Sequence, residues 1–120
     1  MKKYLFAILV TTTALMGATS ANAMTPKTLQ YHCQSGKNIN VTYHFNTQGI
    51  PTKAIAHLNG KNRVMPINLA KSDNVGTLFG KSGSYMLGAE AMNSGNYTEV
   101  DLSTITAPSG NILYKSCTPH

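Results

Sequence analysis

Residues 38 to 67 read NINVTYHFNTQGIPTKAIAHLNGKNRVMPI, and this stretch decides the fold. Its first part alternates apolar with polar side chains, and the apolar face comprises Ile39, Val41, Tyr43 and Phe45. A period of two residues is typical of a β-strand with one buried face. Further along, Asn59-Gly60 separates residues 53–58 from residues 61–67. Because both of these turn residues tolerate positive φ, the dipeptide predicts a tight β-hairpin.

The same alternation continues on both sides of this stretch. Before it, Leu29, Tyr31 and Cys33 share one face, and Ser35-Gly36-Lys37 turns the chain. After it, the chain breaks over residues 68–76, and short polar turns separate further predicted strands at residues 77–81, 85–91, 97–106 and 111–117. The sequence therefore predicts an all-β domain of eight short antiparallel strands. Eight strands suffice to close a small barrel, and a two-sheet sandwich is the alternative that strand spacing leaves open.

The first 23 residues have the organisation of a secretion signal. Lys2 and Lys3 precede an apolar run at residues 4–10, and Ala21-Asn22-Ala23 places small side chains before a cleavage site. Three threonines at residues 11–13 interrupt the apolar run well before the roughly 18 residues that a membrane-spanning helix needs. We therefore predict a cleaved signal peptide at residues 1–23, a single mature domain at residues 24–120 and no transmembrane segment.

The charge of the mature domain is positive. The whole chain has ten Lys and Arg residues against four Asp and Glu residues. Loss of Lys2 and Lys3 with the signal peptide leaves eight basic residues, so the mature domain carries a formal charge of +4. Such an excess favours an anionic partner. The basic residues are dispersed along the chain, and together with export this argues against nucleic acid as that partner.

The chain contains two cysteines, Cys33 and Cys117, near the two ends of the mature domain. In an oxidising compartment the default expectation for such a pair is a disulfide. Closing so long a loop is worth about 4 to 5 kcal/mol in the chain-entropy model. A metal site is not expected, because His32 and its neighbour Cys33 point to opposite faces of a strand.

Groups suited to catalysis are few. The carboxylates Asp73, Glu90, Glu99 and Asp101 do not form a pair at the spacing of an acid and base, and no serine lies in a nucleophile elbow. No glycine-rich phosphate loop follows a strand and precedes a helix. The sequence therefore predicts a binding domain rather than an enzyme, and no cofactor.

Seven segments of the mature chain carry a family resemblance. In chain order they are YHCQSGK (31–37), VTYHFNTQG (41–49), NGK (59–61), MPINLAKSDNV (65–75), YMLG (85–88), ITAP (105–108) and KSC (115–117). In these segments the chain resembles the adhesin complex protein family of Gram-negative cocci, and more loosely the periplasmic and membrane-bound inhibitors of c-type lysozyme. The resemblance covers essentially the whole mature chain in order.

This resemblance implies a fold, a location and a function. The implied fold is an eight-stranded antiparallel β-barrel closed by one terminal disulfide. The implied location is the periplasm, the outer-membrane surface with peripheral attachment, or the medium. The implied function is inhibition of host c-type lysozyme by polar loops that enter its active-site cleft, with a role in adhesion to a host cell-surface receptor. The alternative is an adhesin that binds host glycan or protein without inhibiting lysozyme.

The resemblance also points to particular loops. In the inhibitor group, one loop with a Ser-Gly-x-x-Tyr pattern and a second loop ending in lysine enter the lysozyme cleft. Ser72 aligns with the start of the first loop, but Asp73-Asn74-Val75 replaces its Gly-x-x continuation, and Glu90 lies near the position of the expected lysine. Lys71 and Lys81 are the nearest substitute cations. The implied lysozyme-binding residues are Lys71, Ser72, Asp73, Asn74, Lys81, Ser82 and Tyr85.

The chemistry of a c-type lysozyme cleft suits such loops. The enzyme cleaves with two carboxyl groups, one protonated and one ionised. An inserted lysine ammonium paired with the ionised carboxylate gains more there than on an open surface, because the cleft is partly desolvated. The Asn59-Gly60 hairpin is expected at the opposite end of the barrel from these loops.

Overall fold

The computed structural model describes residues 24–120, so the predicted signal peptide at residues 1–23 lies outside the described residues. Residues 24–120 contain eight strands that pair antiparallel in the order β4-β3-β2-β1-β8-β7-β6-β5 and form a nearly closed barrel. The predicted all-β barrel is confirmed. The strands are β1 (Lys27–His32), β2 (Asn38–Phe45), β3 (Pro51–Leu58), β4 (Lys61–Pro66), β5 (Gly76–Phe79), β6 (Met86–Glu90), β7 (Leu102–Thr106) and β8 (Ile112–Pro119).

The barrel consists of two four-stranded meanders, β1 to β4 and β5 to β8, which meet at two seams. At the first seam, β1 pairs with β8 through Tyr31–Pro119 and His32–Thr118. One step further along the same register, Cys33 and Cys117 form the predicted disulfide, which closes a sequence separation of 84 residues. The first seam thus has few backbone pairs, and a covalent bond joins its two strands.

The second seam joins the end of β4 to β5 without a disulfide. Ile67 and Phe79 form an isolated bridge. On either side of it, the Asn68 N–H donates to the Leu78 carbonyl at 2.8 Å and the Gly80 N–H donates to the Pro66 carbonyl at 2.6 Å. These contacts hold one end of the seam, where the chain passes from the first meander to the second.

The core follows from the alternation along the strands. In β2 the odd-numbered residues from Ile39 to Phe45 are buried, while the even-numbered residues are exposed or half-buried. Tyr31 and Tyr43 are fully buried, and their hydroxyl oxygens lie 2.7 Å apart. The ring of Phe79 packs 5.7 Å from that of Tyr43, so the core spans both meanders. One hydroxyl donates to the other, so each buried phenol has a hydrogen-bond partner.

The β3–β4 hairpin confirms the prediction from Asn59-Gly60. Asn59 has φ of 51° and Gly60 has φ of 86°. Two successive residues with positive φ match the right-handed twist of the flanking strands, which is why this dipeptide is favoured at two-residue hairpin turns. The adjoining pair, Leu58 and Lys61, closes the ladder at the tip.

The predicted strand at residues 97–106 is wrong in its first part, because β7 begins at Leu102. Residues 94–99 form turns instead. The Asn93 side-chain oxygen accepts from the N–H groups of Gly95 and Asn96, at 2.7 and 3.0 Å. Asparagine side chains that bond to nearby backbone in this way compete with strand pairing. Within residues 24–120 no helix has the length and apolar character to span a membrane.

The tyrosine pair makes the barrel sensitive to high pH. Burial raises the pKa of Tyr31 to about 12, with the Tyr43 hydrogen bond acting in the opposite direction, and burial also raises the pKa of Tyr43. Because the folded state favours the neutral phenols, this stabilisation is complete below the unfolded tyrosine pKa of about 10 and is lost as pH rises through the folded pKa values.

We expect the urea midpoint of the protein to fall steeply between pH values of about 10 and 12. The reference is the double variant Tyr31→Phe/Tyr43→Phe, in which the remaining pH dependence reports all other titrating groups. If the urea midpoint fell equally with pH in the parent and the double variant, the loss of stability at high pH would not be due to Tyr31 and Tyr43.

Candidate functional site

The predicted site residues lie on two connections that meet at the second seam. Lys71, Ser72, Asp73 and Asn74 belong to the connection from β4 to β5, which contains a single-turn 3₁₀ helix at Leu69–Lys71. Lys81, Ser82 and Tyr85 belong to the connection from β5 to β6. We call these two segments, residues 67–75 and residues 80–85, the loop pair.

Asn68 ties the two members of the loop pair together. Its side-chain oxygen accepts from the Lys71 N–H at 3.2 Å and so caps the short helix. Its side-chain amide donates to the Gly80 carbonyl at 2.9 Å. The prediction from sequence did not include Asn68, although an asparagine before a helical turn is a known capping signal.

Ser72 is a structural brace. Its hydroxyl donates to the Asn68 carbonyl at 2.8 Å and accepts from the Leu78 N–H at 2.9 Å, and the side chain is half-buried. The alignment had placed this serine among the groups that enter a partner's cleft. In the described chain its hydroxyl holds the loop against β5, and its contact with a partner stays a prediction.

Asp73 is also used within the loop. One carboxylate oxygen accepts from the N–H groups of Val75 and Gly76, both at 2.9 Å. This is the turn that an aspartate makes with its own following backbone. Asn74, which follows it, is exposed.

The exposed part of the first loop combines apolar side chains with one lysine and one aspartate. Leu69 is 70% exposed and Val75 is 75% exposed, and Lys71 between them is also exposed. Isolated exposed apolar side chains are common on protein surfaces. Here two of them share one hydrogen-bonded loop with Lys71 and with Asp73, which is also exposed.

Tyr85, at the end of the second loop, contacts the β3–β4 hairpin. The Asn59 side-chain amide donates to the Tyr85 hydroxyl at 2.9 Å, and the Arg63 guanidinium lies 4.6 Å from the centre of the ring. The tip of the β3–β4 hairpin therefore adjoins Tyr85, so the expectation that Asn59-Gly60 lies at the opposite end of the barrel does not hold for the end of the second loop. The first loop follows the other end of β4. Asn59 and Tyr85 are 26 residues apart in the sequence, and no local sequence signal predicts their contact.

Gly80 allows the second loop to pass close to Tyr85. Its φ is +87°, and a Cβ at this position would lie 2.1 Å from the Tyr85 carbonyl oxygen. A side chain is therefore excluded by both conformation and space. Lys81 and Ser82, which follow, are exposed.

A groove of about 510 Å³ runs along the second seam between the loop pair and β4. Apolar groups form most of its surface, and one lysine lies at its margin. Residues that line it include Val64, Pro66, Leu69, Ala70, Lys81 and Tyr85. Its size falls within the range of small-ligand and peptide sites.

Charge is unevenly distributed around the site. None of the described residues lining the groove is acidic. Glu90 ends β6 opposite Gly76, and its carboxylate accepts from the Asp101 N–H at 3.0 Å. The groove lies by the other end of β6, which begins at Met86 after Tyr85. Among residues 24–120, no three His, Cys, Asp or Glu side chains come together in a group that could hold a metal ion.

The role assigned to Ser72 generates a stability prediction. In Ser72→Ala the Leu78 N–H loses its acceptor, while the Asn68 carbonyl keeps the Lys71 N–H, so we expect a loss of about 1 to 2 kcal/mol in the free energy of unfolding. The measurement is a urea midpoint, together with hydrogen exchange at the Leu78 amide, which should become faster. Ser82→Ala, at an exposed position, is the matched control and should change stability by less than about 0.5 kcal/mol. Equal effects of the two substitutions would show that the Ser72 hydroxyl does not stabilise the first loop.

Comparison with known proteins agrees with the fold. The family model described as ACP-like domain matches residues 27–119. The chain is similar to the solved structure of the adhesin complex protein from Neisseria meningitidis, with 49% sequence identity, a TM-score of 0.74, and coverage of 79% of this chain and 100% of that chain. No curated protein matches the chain. The resemblance to the adhesin complex protein family is thus confirmed, and the chain belongs to the family of the ACP-like domain.

Proposed function

We propose that this protein is an exported, non-enzymatic, adhesin-type protein that binds c-type lysozyme and blocks its active-site cleft with the loop pair. The adhesin class rests on the family and on the name of the Neisseria meningitidis relative. Lysozyme inhibition rests on the looser resemblance of residues 65–75 to the inhibitor group and on the properties of the loop pair.

The observation that carries the proposal is the rigid, exposed tip of the first loop. Three polar side chains form hydrogen bonds to the backbone of the loop itself, namely those of Asn68, Ser72 and Asp73. Leu69, Lys71 and Val75 remain exposed. A loop that is already ordered loses less conformational entropy when it binds, so the same contacts yield a tighter complex.

The chemistry of the tip complements the lysozyme cleft. A lysine ammonium is suited to the ionised carboxylate of the catalytic pair, and apolar side chains on either side of it exclude water from that contact. Lys71 is the preferred cation because Leu69 and Val75 belong to the same loop. Lys81 lies across the loop pair and approaches from the rim.

The second candidate function is adhesion without lysozyme inhibition. The name of the relative supports it directly, and an exposed apolar tip with a lysine also suits a host surface protein. A glycan is less well matched by two aliphatic side chains, because sugars are usually bound by polar groups and aromatic faces. The two candidate functions make opposite predictions in a lysozyme assay.

Export is part of the proposal. We propose that residues 1–23 direct the protein out of the cytoplasm, to the periplasm, the outer-membrane surface or the medium, where the disulfide forms. The intact mass of the exported product should correspond to a chain beginning at Met24 and lacking two hydrogens at Cys33 and Cys117. A product that retains Lys2 and Lys3 would contradict export with cleavage.

Inhibition is tested by lysis of bacterial cell walls by human lysozyme, titrated with the purified protein. Lys71→Glu should weaken inhibition by about 2 to 5 kcal/mol if its ammonium is desolvated in the cleft, whereas Lys81→Glu should cost under about 1 kcal/mol at the rim. Lys115→Glu, an exposed lysine on β8, is the matched control for net charge. Circular dichroism confirms that each variant folds.

Two outcomes decide between the candidates. A parent protein that leaves lysozyme fully active supports adhesion without inhibition and refutes the lysozyme proposal. Inhibition that Lys71→Glu and Lys115→Glu reduce equally places the contact away from the loop pair.

A further inference from the structure

The outer edge of β4 has backbone groups without a strand partner in the described part of the chain. In an antiparallel pair, the backbone N–H and C=O of successive residues point alternately toward the partner strand and away from it. The Ile67 N–H donates to Thr52 of the β3 side at 2.9 Å, and the Pro66 carbonyl accepts from Gly80 on the other side. By this alternation, Val64 directs its N–H and C=O away from β3 and into the second seam.

The seam is not filled at Val64. Below it, the bridge between Ile67 and Phe79 closes the barrel. Above it, Tyr85 is held by the side chains of Asn59 and Arg63. Between these two closures lies the groove, which has Val64 in its lining, and this side chain is 56% exposed.

The groove has the features of a short strand-binding site. Val64 supplies a backbone donor and acceptor, and Leu69, Pro66 and Tyr85 supply apolar surface for alternate side chains of an added strand. Recognition of a peptide by strand addition uses this combination, with main-chain hydrogen bonds for affinity and side-chain pockets for specificity. At about 3.3 Å per residue, a groove of this kind holds only a few residues.

Charge indicates what kind of segment fits. Lys81 lines the groove, and the Arg63 guanidinium lies against the ring of Tyr85, which also lines it. The lining residues in the described chain include no carboxylate. An added strand with acidic side chains beside its apolar ones therefore meets complementary charge.

We propose that the β4 edge at Val64 and the adjoining groove bind an extended, acidic segment of a partner protein by β-strand addition. This binding mode shares Leu69 and Lys81 with the proposed lysozyme contact, but it also requires the backbone N–H and C=O of Val64, which the lysozyme contact does not use. A failure of either proposal leaves the other standing.

The test uses fluorescence anisotropy with the purified, disulfide-bonded protein and a fluorescein-labelled octapeptide in which valine and glutamate alternate. Saturable binding that weakens with added salt is expected. An octapeptide of alternating valine and lysine should bind at least about tenfold more weakly, because its charges meet Lys81 in the groove. A valine-glutamate peptide with alternate backbone nitrogens methylated keeps its charge but cannot pair as a strand, and it should also bind at least about tenfold more weakly.

Protein variants test the same contact from the other side. Val64→Pro removes the N–H that points into the seam. The substitution leaves the hydrogen bonds between β4 and β3 intact, and proline is tolerated on edge strands. It should weaken binding of the valine-glutamate peptide about tenfold, whereas Val64→Thr, which keeps the N–H and the branched side chain, should not. Lys81→Glu should weaken binding more than the control Lys115→Glu.

Several results would overturn the proposal. Equal binding of the methylated and unmethylated acidic peptides would show that charge alone attracts the peptide, and this comparison holds even if Val64→Pro fails to fold. The protein could instead bind phosphatidylglycerol vesicles and no peptide. If Lys81→Glu then abolished the vesicle binding, the groove would be a lipid site and the proposal would be wrong. Absence of both would leave the groove without the proposed ligand class and refute the inference.

Discussion

The covalent bond between Cys33 and Cys117 is the constraint on which the barrel depends. The two meanders share few backbone pairs where β1 meets β8, and the disulfide lies directly beside those pairs in the same register. A loop of 84 residues closed in this way contributes about 4 to 5 kcal/mol in the chain-entropy model, comparable to the whole stability expected of so small a domain. With the first seam fastened, the core tyrosines of the first meander are held against Phe79 of the second.

Closure at one seam permits incomplete closure at the other. Within residues 24–120, the second seam is joined by one bridge and its flanking hydrogen bonds, and the rest of the outer edge of β4 has no strand partner. Exposed edges promote aggregation, and proteins commonly protect them with charged residues and proline. Lys61, Arg63 and Pro66 on β4 have that character. The same open seam carries the groove and the loop pair, so the proposed contacts with other proteins lie where the barrel is least closed.

The sequence predicts the barrel well because its signals are local. Alternation in β2 sets its buried face, Asn59-Gly60 sets the hairpin, and the cysteine pair sets the first seam. The site is less predictable because its geometry depends on residues that are distant in sequence. Ser72 faces β5 rather than solvent because the Leu78 N–H needs an acceptor, and Tyr85 meets Asn59 only once the barrel has closed. Local asparagine turns also displaced the expected start of β7, because side-chain amides competed with the ladder.

The position of the disulfide also has a mechanical consequence. Cys33 lies just after the first strand and Cys117 lies within the last, so tension applied to the two ends of the described chain loads the pairing of β1 with β2 and β8 and then reaches the sulfur–sulfur bond. The strands between the cysteines are bypassed by the force. Stretching the described chain from its two ends therefore leaves the loop pair, which lies between the cysteines, unextended as long as the disulfide is intact.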